Sequence, residues 1–133
     1  MALKIKKMFK GILCALSVAS FALSCTSCGG KGYESISAEE AKRIMDSGAE
    51  YFLIDARTDT EYSEGHIPGA VMIPEYEISK SEDILPKDKG ALILVYCRSG
   101  RRSKIASAEL VKLGYKNIKE FGGIIDWKYE VVK

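Results

Sequence analysis

The strongest constraint on this chain is Ala91-Leu-Ile-Leu-Val-Tyr96, an apolar run with no polar interruption, bounded by Gly90 and Cys97. A half-exposed strand would alternate apolar and polar residues. A continuous run of this length instead predicts a strand buried on both faces, in the middle of a sheet. The following segment provides cover for one face. Between Ser103 and Leu113, Ile105, Ala106, Ala108, Leu110, Val111 and Leu113 recur at helical spacing, and Gly114 stands where helices end.

The same alternation runs through the rest of the chain. Ser37-Ala-Glu-Glu40 has the spacing of a capping box and opens a helix whose apolar positions are Ala41, Ile44 and Met45, stopped at Gly48. Tyr51-Phe-Leu-Ile54 is a second buried strand, ending in Asp55. Thr58 to Glu64 reads as a short helix stopped at Gly65, and Ala70-Val-Met-Ile73 as a further buried run ended by Pro74. Asn117 to Phe121 is a last short strand, and Ile124 to Val131 a closing helix. The stretch from Lys80 to Lys89 is charge-rich and reads as a solvated connection. Apolar strands alternating with amphipathic helices predict an α/β fold, a mainly parallel central sheet flanked by helices on both faces. Sites in such sheets lie beyond the carboxyl ends of the strands. Two segments occupy that rim: Asp55 to Arg57, and Cys97 to Arg102.

Charge divides the chain at its start. It has 20 basic and 18 acidic residues, a formal +2. Lys4, Lys6, Lys7 and Lys10 precede an uncharged run over 11–24, and no acid appears before Glu34. Without residues 1–24 there remain 16 basic and 18 acidic side chains, a formal −2. A nucleic-acid partner is therefore not expected. A basic segment before a short apolar one matches a secretory signal. Phe21-Ala-Leu-Ser-Cys25 resembles a bacterial lipobox, with Cys25 as the lipidated residue and Cys28 as the alternative. The expected organisation is a lipoprotein signal peptide over 1–24, a flexible tether over 25–32 and one domain over 33–133, held outside the cytoplasm on the membrane by its lipid. Cys25-Thr-Ser-Cys28 could instead form a redox or zinc pair, but redox pairs normally open a helix after a strand, and zinc needs two further ligands. No metal or other cofactor is expected. Four cysteines are too few for a disulfide scaffold.

The chemistry is expected at Tyr96-Cys97-Arg98-Ser99-Gly100-Arg101-Arg102-Ser103, a strand-to-helix junction. The reactive form of cysteine is the thiolate. The amino terminus of the following helix directs partial positive charge at this loop. Gly100 permits positive φ, so that successive N–H groups can converge. Arg98, Arg101 and Arg102 add formal charge. Such a cradle suits an anionic substrate or a charged sulfur intermediate. On its own it names a class of anion chemistry that phosphatases share, and a buried structural cysteine beside solvated arginines is the alternative.

Two separated stretches carry a family resemblance. Tyr62-Ser-Glu-Gly-His66-Ile-Pro-Gly-Ala-Val-Met-Ile73, preceded by Leu53-Ile-Asp55-Ala-Arg57, resembles the amino-terminal signature of single-domain rhodaneses. Cys97-Arg-Ser-Gly100-Arg-Arg102-Ser103 resembles their active-site loop, and Phe121-Gly-Gly123-Ile-Ile-Asp-Trp127 their closing segment. The chain stops at Lys133 without the Gly-x-Pro stretch that often follows the tryptophan. The resemblance implies a rhodanese fold and sulfur transfer: Cys97 attacks the outer sulfur of thiosulfate or a similar donor, and its persulfide passes sulfur to cyanide, a thiol or a protein. It further implies that backbone groups from Arg98 through Ser99, Gly100 and Arg101 to Arg102 stabilise the persulfide, and that Arg102, with Arg98, holds the anionic donor. Cys97 to Arg102 spans six residues, the loop length of sulfurtransferases; the related phosphatases have one more. A cysteine-dependent phosphatase or arsenate reductase, or a non-enzymatic carrier or binding module, are the alternatives on the same fold. Asp55 and Arg57 are expected to brace the site as an ion pair, and His66 to fix its turn and not to act as a base.

Overall fold

The computed structural model describes residues 30–133. The expected signal peptide over 1–24, with Cys25 and Cys28, lies outside the described residues. Among the described residues, no helix is long and apolar enough to cross a membrane.

The elements are β1 (Glu34–Ser35), α1 (Ala38–Asp46), β2 (Phe52–Asp55), α2 (Asp59–Glu64), β3 (Val71–Met72), a 3-10 turn (Ile78–Lys80), β4 (Ile93–Cys97), α3 (Arg101–Lys112), β5 (Ile118–Gly123) and a second 3-10 turn (Ile124–Asp126). The five strands form one sheet in the order β1-β5-β4-β2-β3, and every pairing is parallel. The long apolar run is central, as its composition requires: β4 is buried at every position between β5 and β2.

Period-two alternation along β4 divides the core. Ile93, Val95 and Cys97 face one side, where Ile54 and Ile118 join Ala106 and Leu110 of α3. Leu94 and Tyr96 face the other, with Leu53, Phe121 and Ala41 of α1. Helices thus flank both faces of an α/β sheet. Cys97 leaves the sheet on the α3 side, and Tyr96 turns to the opposite layer.

Four details differ from the sequence expectation. Helix α3 begins at Arg101, so that two arginines occupy its first turn. Gly100, with φ of 105°, stands at its N-cap and starts the helix without a side-chain cap. The expected closing helix over 124–131 is a single 3-10 turn; Ile124 and Trp127 reach the α1-side core within that turn. Beyond it the chain is drawn out, and Val132 pairs with His66 as an antiparallel bridge. The reciprocal capping box lies at Thr58 and Glu61; at α1 Ser37 accepts the Glu40 N–H at 3.1 Å. Finally, β1 was not expected. Two exposed residues carry no hydrophobic pattern, and only pairing with β5 identifies them as a strand.

Candidate active site

The rim at the carboxyl ends of β2, β4 and β5 brings both predicted segments together, in different arrangements. At the end of β2, Asp55 is fully buried and Arg57 is 5% exposed. Arg57 Nη2 donates to Asp55 Oδ2 at 2.7 Å, and Nε donates to Oδ1 at 2.9 Å. Arg57 Nη2 also donates to the Gly65 carbonyl, and the Arg57 backbone N–H to Asp55 Oδ1. Tyr96 completes the group. Its hydroxyl donates to Asp55 Oδ2 at 2.7 Å and accepts the Ile67 N–H at 3.0 Å. Burial, then the charge of Asp55, pushes the Tyr96 pKa up, so the hydroxyl stays neutral. Burial opposes the Arg57 charge, but Asp55 more than offsets it and the guanidinium is held above its ordinary value. Such a pair is costly to bury and worse to break. It is a brace, joining β2, β4 and the turn over 65–67.

His66 belongs to the same turn. Its Nδ1 lies 2.9 Å from the Tyr62 carbonyl, its ring stacks on Tyr62 at 3.7 Å between centroids, and its backbone N–H donates to Val132. All of these contacts fix the turn.

At the end of β4, Cys97 is 1% exposed. Its Sγ accepts the Gly100 N–H at 3.0 Å, the direct consequence of the loop's return at positive φ. Among the described residues, the N–H groups of Ser99, Arg101 and Arg102 find no protein acceptor. Arg98, Ser99 and Arg101 are exposed. The loop can sit this low only because β5 ends in Gly123. A Cβ on Gly123 would lie 1.9 Å from the Arg98 carbonyl oxygen, and one on Gly100 would meet the Gly122 Cα at 3.4 Å. The first turn of α3 therefore carries unpaired N–H groups and two arginines, all at the positive end of the helix dipole. Positive side chains are unfavourable at that end of a helix, whereas an anion is favourable there.

Arg102 is braced from a neighbouring element. Glu61 of α2 receives Arg102 Nη1 on Oε2 at 2.7 Å and Nη2 on Oε1 at 2.8 Å. The same Oε2 accepts the Thr58 N–H and hydroxyl. These Arg102 hydrogen bonds, joined by those from Thr58 and opposed by burial, lower the Glu61 pKa to about 2. Glu61 in turn raises Arg102 above its ordinary value. Sequence reasoning missed Glu61, although its signal was present in the three-residue spacing from Thr58. It also missed Glu120, a buried acid on β5 that reaches Ser103 in the first turn of α3.

Cys97, with the Gly100 N–H on its Sγ, thus stands on the same rim as the braced ion pair that ends β2. The rhodanese-like domain profile covers residues 37–130. The chain belongs to the rhodanese-like family of sulfurtransferases. A sulfurtransferase of Allochromatium vinosum is 38% identical over 88 residues, covering 65% of this chain and 79% of that protein. The thiosulfate sulfurtransferase PspE of Escherichia coli is 34% identical over 80 residues, covering 60% and 77%. A solved structure described as a rhodanese with anions from E. coli superimposes with a TM-score of 0.59 at 32% identity, covering 63% of this chain and 99% of that one.

Proposed function

We propose that this rhodanese-like chain takes sulfane sulfur from thiosulfate, or a similar small anionic donor, onto Cys97 and delivers it to a thiol, cyanide or a protein acceptor. The Cys97 thiolate attacks the outer sulfur of thiosulfate. An S–S bond forms to Sγ as the bond to the sulfonate sulfur breaks, and sulfite leaves with that electron pair. An acceptor thiolate then attacks the terminal sulfur of the persulfide, takes it as its own persulfide and returns Cys97 as thiolate. One transfer is thus divided into two displacements, with no oxidant or reductant required.

The observation that carries this reading is the Gly100 N–H on Sγ, set among unengaged N–H groups of the same loop. Those groups would receive the terminal sulfur and the donor's oxygens. Arg98 and Arg101 supply exposed charge at the entrance, and Arg102, oriented by Glu61, supplies charge with fixed geometry. The six-residue loop and the names of the relatives favour sulfur over phosphoryl transfer. Mixing the full chain with thiosulfate without an acceptor is expected to release sulfite equal to the amount of protein and then stop, resuming when cyanide or a thiol is added. Absence of that burst, or hydrolysis of aryl phosphates in its place, would overturn the reading.

The leader motivates a proposal about place. Residues 1–24 and Cys25, with Cys28 as the alternative, support a lipid anchor that holds the domain outside the cytoplasm. Palmitate incorporation into the full chain is expected to be lost in Cys25→Ala; label lost only in Cys28→Ala would move the anchor, and no label at all would remove it.

A further inference from the structure

We infer that Glu120 is a positioning residue for Cys97, holding the sulfur-facing loop from behind through Ser103 and Gly122; the inference rests on Cys97 being the reactive group. Glu120 is 2% exposed and, among the described residues, forms no ion pair. A buried acid without a cation is expensive to keep unless its oxygens are fully occupied. They are occupied. Oε1 accepts from the Ser35 hydroxyl at 2.6 Å. Oε2 lies 2.9 Å from the Ser103 hydroxyl and accepts the Gly122 N–H at 3.1 Å.

Two of these partners lead to the sulfur. Ser103, fully buried in the first turn of α3, has one hydroxyl hydrogen to share between Glu120 Oε2 and the Gly100 carbonyl, which lies 3.0 Å away. Gly100 is the residue whose N–H points at Sγ. On the other side, the Gly122 Cα lies 3.4 Å from where a Gly100 Cβ would stand, and its carbonyl lies 3.9 Å from Sγ. One carboxyl group therefore grips both peptide segments that flank the nucleophile. The third partner, Ser35 on β1, leads away from the loop. That separation makes the role testable, because a purely structural acid would depend on all its partners alike.

The test is the rate at which iodoacetamide alkylates Cys97 in the full chain near neutral pH, read on the Cys97 peptide by mass spectrometry, with circular dichroism to confirm folding. Ser103→Ala and Glu120→Gln are expected to slow alkylation about tenfold, the scale of losing an aligned hydrogen bond to a charged group. Ser35→Ala is expected to stay within about twofold of the parent, because water can replace its hydroxyl at the exposed strand β1. The sign discriminates. A merely structural role would loosen the loop, expose a buried thiol and speed alkylation, so an unchanged or faster Ser103→Ala overturns the inference. Equal slowing by Ser35→Ala overturns it too. If Glu120→Gln fails to fold, Ser103→Ala decides alone. Iodoacetamide involves no sulfur transfer, so failure of the parent chain to take sulfur from thiosulfate would count against the proposed function and leave this result standing.

Discussion

The ends of β2 and β4 lie side by side on one rim, and both are rich in charge, yet they are built in opposite ways. At the β2 corner, Asp55, Arg57 and Tyr96 pair with one another in a buried network that also takes in the Gly65 carbonyl and the Ile67 N–H. At the β4 corner, a helix begins with N–H groups that meet no protein acceptor among the described residues, and with two arginines at the wrong end of its dipole. Charge that is buried and paired holds the scaffold. Charge and donors left open around a sulfur atom await a guest. Arg102 stands between the two regimes: it belongs to the first turn of α3, but Glu61 fixes its guanidinium.

Breaking each corner should therefore give different symptoms. Arg57→Ala leaves Asp55 buried without its cation and is expected to cost about 3–5 kcal/mol of folding stability, read by urea denaturation. A cost below about 1 kcal/mol would mean that the pair is no brace. Gly123→Ala attacks the other corner. Its new methyl group must push the Arg98 carbonyl away, and a displacement of about 1 Å is expected to slow thiosulfate-dependent sulfite release roughly a hundredfold. A parent-like burst in that variant would show that loop height is irrelevant.

The boundary residue gives a smaller effect with a pH signature. Glu61→Gln keeps the capping geometry and removes the charge pair, and is expected to cost about 1 kcal/mol near neutral pH. The folded pKa of Glu61, about 2, lies below its ordinary value of 4.5. Its contribution is therefore fully present above about pH 4.5 and is lost as pH falls towards 2. Thermal melts of the parent and Glu61→Gln should converge across that window, and a constant difference down to pH 2 would contradict the assignment. The smallest effect is expected for His66→Ala, which removes the stack on Tyr62. A loss of about 0.5 kcal/mol in thermal denaturation fits a turn-fixing role, and no loss would contradict it.

These contrasts explain what the sequence could and could not disclose. The central strand was legible because burial on both faces leaves a continuous apolar run, and the strand-to-helix junction after it because Cys97 ends that run and Gly100 precedes the helical spacing. The brace was legible only as a pair of charges near a strand end; the part played by Tyr96 depends on β4 lying beside β2. Glu61 and Glu120 were missed for a shared reason. Each acts on a residue far along the chain, Glu61 on Arg102 and Glu120 on Ser103, and one-dimensional spacing records only local partners. The closing segment misled because Ile124 and Trp127 have helical spacing, yet one turn is enough to bury both.

In the proposed cycle the transferred sulfur is carried on Cys97 Sγ. The most direct test of that step is the mass of the Cys97 peptide from the full chain after exposure to thiosulfate, with and without subsequent thiol reduction. The expected result is a gain of one sulfur on that peptide, removed by the reductant and absent in Cys97→Ser. No gain, or a gain located elsewhere that persists in Cys97→Ser, would contradict it.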